Sequence, residues 1–448
     1  MTHNKIAPLV LFIVAIGLAA TSNVPQTQTT ISGWGWLTMG RVESSPFQKS
    51  DYDVNFDKEW LVDFNAGIKA THPIGENGRG RLHLGITTTY PILDYRKEDA
   101  EFQRRKFALY LIDATLEQTY NFNNQTIYAE FGYFPVKYNP QAMNLGEYLF
   151  RSGTYPGYLN SSFEMADKEK QIGIHISYKN TFLTNGWFKG DLYTGVDMRD
   201  YPINDISPAV IATASPHPFF EFSAGAMFAH LITVDERKTT PGTDTVVFKS
   251  GTPKWNNVGW VDTTTGDTIL YTFRGIKAMA RMTLDPKSFF NISLFGKEDL
   301  KLYGEAAILG IKNYPGWYAN IEERIPVMFG FNFPAFNLLD VLAFEGEWYG
   351  FKHWNTPESV WKSRSPVPYD GQVISFYDDW EPRTSDDWKW SVYLSKKIMK
   401  RIRISAQAAS DHISRMGYMP PPPSFSKYTE ICPRTKDWYW MGRIMYYF

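Results

Sequence analysis

Charged residues recur at every second position in several parts of this 448-residue sequence. Glu345 and Glu347 are two residues apart, as are Arg401 and Arg403, so on an extended chain the members of each pair lie on one face. Two carboxylates on one face can carry out acid–base chemistry, but no partner group is suggested beside Glu345 and Glu347. Such charges can instead sort dissolved ions by sign, provided that the face borders water.

Enzyme signatures are absent from the sequence. The eight histidines are scattered, and no H-E-x-x-H, G-x-S-x-G or phosphate-loop motif is present. A hydrolase built on Ser177 and His175 would need its chemistry on the outward face of a sheet, whereas both residues alternate onto the polar face. We therefore predict that the protein is not an enzyme, uses no cofactor and binds no metal.

The elements that position these charges are long alternating segments, which run from Ile31 to the end of the chain. In one of them Trp60, Val62 and Phe64 alternate with polar residues. Segments of about ten residues or more exceed the roughly 5–6 residues of globular strands and suit the thickness of a bilayer. We count about sixteen strands, with about 18 or about 14 as alternatives. The predicted strands lie near residues 31–42, 59–71, 81–91, 103–120, 126–138, 168–179, 187–201, 206–214, 219–234, 268–284, 300–312, 324–333, 340–352, 387–396, 399–411 and 437–448.

The gaps between these segments alternate in length. Gaps after even-numbered strands are mostly tight turns, such as 121–125, and gaps after odd-numbered strands are mostly long, such as 139–167. Short turns on one rim and long loops on the other are typical of an all-β fold, the transmembrane antiparallel up-and-down β-barrel. Two gaps depart from this order, a short one after the seventh strand and a long one at 285–299. The strand at 206–214 is the weakest of the set.

Charge balance and the N-terminus agree with this fold. The 46 basic and 47 acidic residues nearly cancel, which does not favour nucleic-acid binding. Residues 1–22 have the features of a signal peptide, with Lys5 before the apolar run Leu9–Leu18. No second apolar run of about 18 residues exists for a helical membrane bundle. Residues 23–448 then form a single barrel domain, in which the one cysteine, Cys432, can make no internal disulfide.

Aromatic residues make up 16% of the chain, a high share for a mean hydropathy of −0.34. Many of them lie near predicted strand ends, where amphipathic rings belong at membrane interfaces. The aromatic residues that we predict on the lipid face are Trp34, Trp36, Trp60, Tyr90, Tyr178, Trp348, Trp388, Trp390, Trp438 and Tyr446.

The last strand carries the most specific pattern, because Ile444, Tyr446 and the terminal Phe448 fall on one apolar face. It resembles the last strand of Gram-negative outer-membrane β-barrels, and of porins among them. The resemblance implies the outer membrane of a Gram-negative-type (diderm) bacterium, with these three residues as the assembly signal. It also implies outer-membrane lipid and the barrel-assembly machinery as partners. A homotrimer is implied by the resemblance alone.

The long loop at 139–167 follows the fifth strand and contains Leu145, Leu149 and Phe150, too apolar a set for a freely solvated loop. Porins fold the loop at this place into the barrel. The resemblance therefore implies a channel for passive diffusion of small hydrophilic solutes, narrowed by this loop. The implied constriction residues are Glu147, Arg151, Glu164 and Asp167. Alternatively, the loop closes the outer mouth or contacts a neighbour, and the barrel is a non-conducting surface-structural or adhesion protein.

Charged residues on the polar faces of the strands complete the prediction. Inward basic residues are predicted at Arg41, Lys69, Arg81, Lys389, Arg401, Arg403 and Arg443. Inward acidic residues are predicted at Asp113, Glu117, Glu130, Glu305, Glu345 and Glu347. Charges of opposite sign on separate walls would set a transverse field across a pore. The alternative is that many of these residues form structural pairs that stiffen the wall.

Overall fold

The computed structural model describes fourteen parts of the chain. These are residues 28–45, 57–89, 106–152, 170–181, 186–196, 205–232, 257–261, 265–266, 268–290, 293–313, 318–349, 387–413, 431–432 and 434–448. The predicted signal peptide at 1–22 and the predicted constriction residues Glu164 and Asp167 lie outside these ranges.

Sixteen antiparallel strands form a closed barrel, and two more form a separate hairpin. The barrel strands are β1 (Thr30–Ser44), β2 (Trp60–Ile74), β3 (Gly78–Thr89), β4 (Lys106–Phe122), β5 (Gln125–Pro135), β6 (Lys170–Asn180), β7 (Trp187–Val196), β8 (Ile206–His217), β9 (Phe220–Ala229), β12 (Gly275–Leu284), β13 (Leu302–Ile308), β14 (Val327–Asn332), β15 (Val341–Tyr349), β16 (Asp387–Ile398), β17 (Ile402–Ala409) and β18 (Trp438–Tyr447). The hairpin strands are β10 (Asn257–Val261) and β11 (Thr268–Thr272). The predicted fold class and strand number are confirmed.

The barrel closes through its first and last strands. β1 pairs with β2 along one edge and with β18 along the other, from Trp34 opposite Tyr447 to Ser44 opposite Trp438. Each remaining barrel strand pairs with its neighbours in the same way. Closure leaves no barrel strand with an unpaired edge, which is the arrangement that allows strands to cross a bilayer with their backbone groups satisfied.

One predicted strand, 268–284, is wrong as a single element. The structure divides it at Phe273 and Arg274 into β11, which pairs only with β10, and β12, which belongs to the barrel. Alternation is present on both sides of the break but changes phase there. The apolar residues move from odd positions, such as Ile269 and Tyr271, to even positions, such as Ile276 and Met282. The predicted strand at 206–214 is present as β8, which extends to His217.

Short and long connections lie mostly on opposite rims, as predicted, and the long connection 285–301 is the expected exception. The turn 123–124 joins β4 to β5 and the turn 218–219 joins β8 to β9, whereas 136–169 joins β5 to β6. The described helices are one α-helical turn, α1 (Tyr148–Arg151), and two 3-10 turns, Pro286–Phe289 and Ile321–Arg324. None of these helices has the length and apolar character needed to cross a membrane.

Burial alternates along the strands and identifies the two faces. In β15, Ala343, Glu345 and Glu347 are buried and face inward, whereas Phe344 and Trp348 are partly exposed on the outside. The outward side chains in the other strands are mostly large and apolar, with Ile68 56% exposed. Lipid-facing barrels need such an apolar outer face.

Trp34 and Trp36 lie on the inward face, so their predicted lipid-facing positions are wrong. Trp34 Nε1 donates a hydrogen bond of 2.7 Å to His83 Nε2, and the guanidinium carbon of Arg443 lies 4.5 Å from the centre of the Trp36 ring. Buried Thr38 shares their face, while Leu37 is exposed on the other. Aromatic character alone does not reveal the face, because polar partners can hold a tryptophan indole inside a barrel.

Candidate functional site in the barrel interior

The segment after β5, residues 136–152, contacts the opposite side of the barrel. Around the closed sheet β15 lies eight strands from β5 in either direction, and the segment makes hydrogen bonds to inward side chains of β15. It also reaches β12, where Lys277 Nζ donates to the Ser152 carbonyl at 2.6 Å, and β16, where Asn144 Nδ2 donates to Ser391 Oγ at 2.9 Å. These bonds hold the segment among the inward faces of the far strands.

Glu345 of β15 accepts hydrogen bonds from three consecutive backbone N–H groups. Its Oε1 accepts from Met143 N at 2.5 Å, and its Oε2 accepts from Asn144 N at 2.9 Å and Leu145 N at 3.0 Å. The Tyr303 hydroxyl of β13 donates a fourth bond at 2.9 Å. A carboxylate that is 1% exposed would be strongly destabilising without such partners. The segment's backbone therefore compensates the buried charge.

Glu305 of β13 binds the next part of the segment in the same manner. Its Oε2 accepts from Glu147 N at 3.0 Å and from Asn139 Nδ2 at 2.9 Å, and its Oε1 accepts from Tyr148 N at 2.9 Å. The Tyr138 hydroxyl also donates to Oε1. Four donors from one segment converge on one wall carboxylate, which fixes the backbone on both sides of Gly146.

Glu347 forms a fully buried ion pair with Arg151, whose guanidinium lies 2.5 Å from Oε2. The Tyr148 hydroxyl donates to the same oxygen at 2.9 Å, and His412 Nε2 lies 2.7 Å from Oε1. Burial lowers the pKa of the Arg151 guanidinium and the Glu347 carboxylate raises it, with a net upward shift, so Arg151 stays charged. His412 belongs to the loop after β17, so this carboxylate joins two loops to one strand.

Apolar packing completes the anchoring. Leu145 and Leu149 are fully buried, in a cluster that includes Tyr193 of β7, Met227 of β9 and Met279 of β12. Gly146 has a φ of +83°, and a Cβ on it would lie 2.7 Å from Met328 Cε. A side chain at this position would therefore strain the backbone and crowd β14.

A second group of charges lies on β3, β4 and β5. Arg81 contacts three inward carboxylates, with nitrogen–oxygen distances of 2.6 Å to Asp113, 2.6 Å to Glu117 and 3.0 Å to Glu130. Arg79 also pairs with Glu117. Arg81 therefore sits within the predicted acidic wall, and the two signs of charge are not separated there.

His175, Asp191 and Lys189 extend this charged group along β6 and β7. His175 Nε2 and Lys189 Nζ each lie 2.9 Å from Asp191 Oδ1. The His175 ring stacks on Tyr193 with 4.2 Å between ring centres. Among the described residues no group of three or more His, Cys, Asp or Glu side chains could hold a metal ion.

The predicted basic wall differs from the structure at two positions. Arg41 shares its face with exposed Leu37 and Met39, so it lies outside the barrel, with its guanidinium 5.5 Å from the centre of the Trp60 ring. Arg401 is exposed in the turn between β16 and β17 rather than on a strand. Arg41 shows the same inversion of the β1 faces as Trp34 and Trp36, whereas Arg401 lies just before β17, where a boundary error changes the assigned element.

The other predicted basic residues lie on inward faces. Lys389 is buried and its Nζ donates to the Cys432 carbonyl at 2.8 Å, and Arg403 donates to the Tyr393 hydroxyl at 2.6 Å. Arg443 donates from Nε to Thr38 Oγ1 at 2.9 Å. Lys69 lies between Ser32 and His83 in the strand register.

Several residues in the hydrogen-bond network that links the 136–152 segment to the inward carboxylates were not among the predicted residues. These are Tyr138, Tyr148, Lys277, Tyr303 and His412. Lys277 alone carries a signal in the sequence, since it is a charged residue at an inward position of an alternating strand. The others become partners only because the folded chain brings together residues up to 199 positions apart.

The predicted assembly residues lie at the closing edge of the barrel. Ile444 and Tyr446 of β18 are 57% and 44% exposed on the outward face, and Phe448 is 66% exposed. Gly33 and Phe448 exchange two backbone hydrogen bonds, of 2.8 and 2.9 Å. The last residue therefore takes part in the joining of the last strand to the first.

No protein-family model and no curated protein matches the sequence. Among solved structures, engineered variants of the porin from Rhodopseudomonas blastica align with 94% of this chain and 100% of their own. Their identity is 8% and 9% and the TM-score is 0.41 for both; a further triple variant has a TM-score of 0.38. The fold assignment rests on the strand pairing itself, which gives this chain a closed antiparallel β-barrel of sixteen strands.

Proposed function

We propose that this protein is an outer-membrane channel for the passive diffusion of small hydrophilic solutes, narrowed by the loop 139–167. One observation carries the proposal: Glu305, Glu345 and Glu347, which face inward, bind the backbone and Arg151 of a segment that begins across the barrel. A segment attached in this way, between β5 and the far strands β13 and β15, would reduce the open cross-section of the barrel.

Partly exposed charged side chains on β3 and β7 support a hydrophilic solute. Arg81 is 16% exposed at its side chain and Lys189 36%, so both retain contact with the interior space beside the carboxylates they pair with. Charged groups of both signs along a narrowed passage favour solutes that carry charge or hydrogen-bonding groups over apolar ones. Glu147 accepts a hydrogen bond from the Asn139 backbone N–H, and Arg151 pairs with Glu347 of the wall. We therefore propose that these two residues support the constriction.

The membrane location is also a proposal. It is supported by the exposed apolar outward face and by the terminal Phe448, which matches the ending of outer-membrane barrels. Outer-membrane lipid and the barrel-assembly machinery are the partners that this location requires. A homotrimer remains a proposal from the family resemblance.

Planar-bilayer recording of the purified protein tests the proposal directly. We expect discrete current steps, and a larger step for a variant in which residues 143–152 are replaced by a short Gly-Ser link. Arg401→Ala, in an exposed turn away from the segment, is the control and should keep the parental conductance. Equal conductance of the shortened and parental proteins would show that the segment is not the constriction.

The second candidate is a non-conducting barrel with a surface-structural or adhesive role. The observation in its favour is the depth of burial around the segment, where Ala142, Leu145, Leu149 and Arg151 have no exposed surface. A plug needs such packing across the interior. A silent bilayer trace from protein whose circular dichroism shows a folded barrel would select this candidate over the channel.

A further inference from the structure

The connection between β12 and β13, residues 285–301, differs in character from the turns 75–77 and 123–124 on the same rim. The turns 75–77 and 123–124 have the sequences Gly-Glu-Asn and Asn-Asn. The 285–301 connection instead presents Phe289, Phe290 and Leu294, which are 60%, 57% and 57% exposed. Large apolar side chains clustered at this level of exposure mark a contact surface more often than a solvated turn.

This connection is fixed to the turns on both sides of it. The Phe289 ring lies 4.6 Å from the ring of Phe219, in the turn between β8 and β9. On the other side, Asn337 Nδ2 donates to the Leu294 carbonyl at 3.1 Å, and the rings of Phe295 and Phe336 stack at 5.9 Å. The three connections therefore form one surface, which we call the rim ledge: the described residues 285–290 and 293–301 with the turns 218–219 and 333–340.

A buried carboxylate holds the ledge in shape. Asp299 is 1% exposed, and its Oδ2 accepts hydrogen bonds from Gly296 N at 2.8 Å and Phe336 N at 3.1 Å. The exposed apolar side chains are thus carried on a backbone that is tied at several points. Leu338, which is 77% exposed, belongs to the same surface.

The ledge continues the outward apolar face of the barrel. Leu284 and Phe220 are paired at the ends of β12 and β9, on the face that also carries exposed Met282 and Phe222. Leu302 begins β13 on the outside and is 43% exposed. Leu284 and Leu302 therefore bring the outward apolar face to both ends of the connection, so whatever covers that face meets the ledge next.

Basic residues border the ledge. The end of β16 and its turn carry Lys396, Lys397, Lys400 and Arg401, with no acidic residue among positions 396–401. Lys396 Nζ donates to the Asn337 carbonyl of the ledge at 2.6 Å and lies 3.3 Å from Asp340. Aromatic and apolar side chains beside cations are the combination found at the headgroup level of phospholipid membranes, where the cations meet phosphate groups.

We propose that the rim ledge is an interfacial anchor that inserts Phe289, Phe290, Leu294 and Leu338 into the headgroup layer of the adjacent phospholipid leaflet. The continuity of the apolar face selects a lipid surface as the occupant, and the basic turn 396–401 supplies the complementary charge. The proposal requires only that the barrel crosses a membrane and is independent of whether it conducts. The anchor fixes how deeply this side of the rim sits in the membrane.

Site-specific labelling tests this directly. In a Cys432→Ala background, Phe290→Cys carries an environment-sensitive nitrobenzoxadiazole label on the barrel folded into vesicles of phosphatidylcholine and phosphatidylglycerol. We expect blue-shifted emission, and stronger quenching by phospholipids with a nitroxide near the headgroup than by those with a nitroxide at the bilayer centre. Leu338→Cys should behave in the same way, so that a folding defect at one position leaves the test intact. Glu76→Cys, in an exposed polar turn on the same rim, is the matched control and should show emission typical of water.

Two results would overturn the proposal. Water-like, unquenched emission at both ledge positions would show that the ledge stays outside the lipid. A blue shift that appears only as the number of protein molecules per vesicle rises would instead identify a second copy of the chain as the occupant. Conductance is recorded on the same labelled proteins. Failure of the anchor is then seen in the emission, and failure of the channel is seen in the current, so the two can be told apart.

Discussion

Inward carboxylates that look alike in the sequence have different partners in the fold. Glu305, Glu345 and Glu347 bind the 136–152 segment, whereas Asp113 and Glu117 bind Arg81. Hydrogen bonds to a charged group contribute roughly 1.5–3 kcal/mol each, which is enough for three or four donors to offset the burial of one carboxylate. The first set thus fixes the position of a segment, and the second set forms ion pairs within the wall of β3 and β4.

Replacing Glu345 with alanine removes the acceptor of three backbone N–H groups and of the Tyr303 hydroxyl. Since a buried unsatisfied group costs roughly 1–3 kcal/mol, we expect the free energy of unfolding in lipid to fall by about 2–4 kcal/mol. We also expect noisier single-channel current as the segment loosens. Glu345→Gln keeps one acceptor oxygen and should lose less stability. An alanine variant as stable as the parent would show that this carboxylate does not anchor the segment.

Arg81→Ala leaves Asp113, Glu117 and Glu130 without their shared cation. We expect the reversal potential in a salt gradient to shift toward cation selectivity, because lumen charges tune the selectivity of barrels of this kind. Arg401→Ala removes the same charge from an exposed turn and should shift the potential less. Equal shifts of the reversal potential for the two variants would show that Arg81 does not determine the ion selectivity.

At the scale of the strand, alternation assigns each residue to lipid or interior. In β2 the outward Ile68 is 56% exposed, and the neighbouring Lys69 lies on the inward face with buried Asn65 and Leu61. A shift of one residue would exchange these roles for the whole strand.

The pair Ile68 and Lys69 therefore tests the register of β2. Ile68→Arg should lower the free energy of unfolding in lipid by roughly 2–4 kcal/mol if the position lies near the bilayer midplane. Lys69→Ile, on the inward face, should change it much less. The reverse order in refolding measurements would mean that the register is wrong by one residue.

The whole molecule depends on one junction between residues far apart in the sequence. β1 and β18 pair along their length, and the bonds between Gly33 and Phe448 end the junction at the short-turn rim. All other barrel junctions except that between β9 and β12 join strands consecutive in the chain, so this is the last contact that a growing sheet can form.

Deleting Phe448 removes both terminal backbone bonds and the end of the outward face. We expect less heat-resistant folded barrel on semi-native gels of outer membranes, with secretion across the inner membrane unchanged. Phe448→Tyr keeps the ring and the backbone bonds and should assemble nearly as well as the parent. Normal amounts of folded protein after the deletion would assign the insertion signal to another part of the chain.

The alternation of polar and apolar residues was sufficient to predict the strands, most of their faces and the alternation of loop lengths. These are local properties, since side-chain direction in a strand repeats every two residues. The alternating pattern of the last strand is likewise local, because it is contained in the residues from Ile444 to Phe448. The prediction departed from the structure in the faces of β1, at Trp34, Trp36 and Arg41. It also departed at a strand end, Arg401, and at the hairpin within 268–284.

The partners of the charged residues were decided by the tertiary structure alone. Met143 and Glu345 are 202 positions apart, and Tyr148 and Glu347 are 199 apart, so no spacing in the sequence relates them. Closing sixteen strands into a ring puts β15 opposite β5 and gives the segment after β5 a wall of acceptors within reach. A buried carboxylate requires nearby donors, and which donors those are depends on the geometry of the ring, not on the order of residues along the chain.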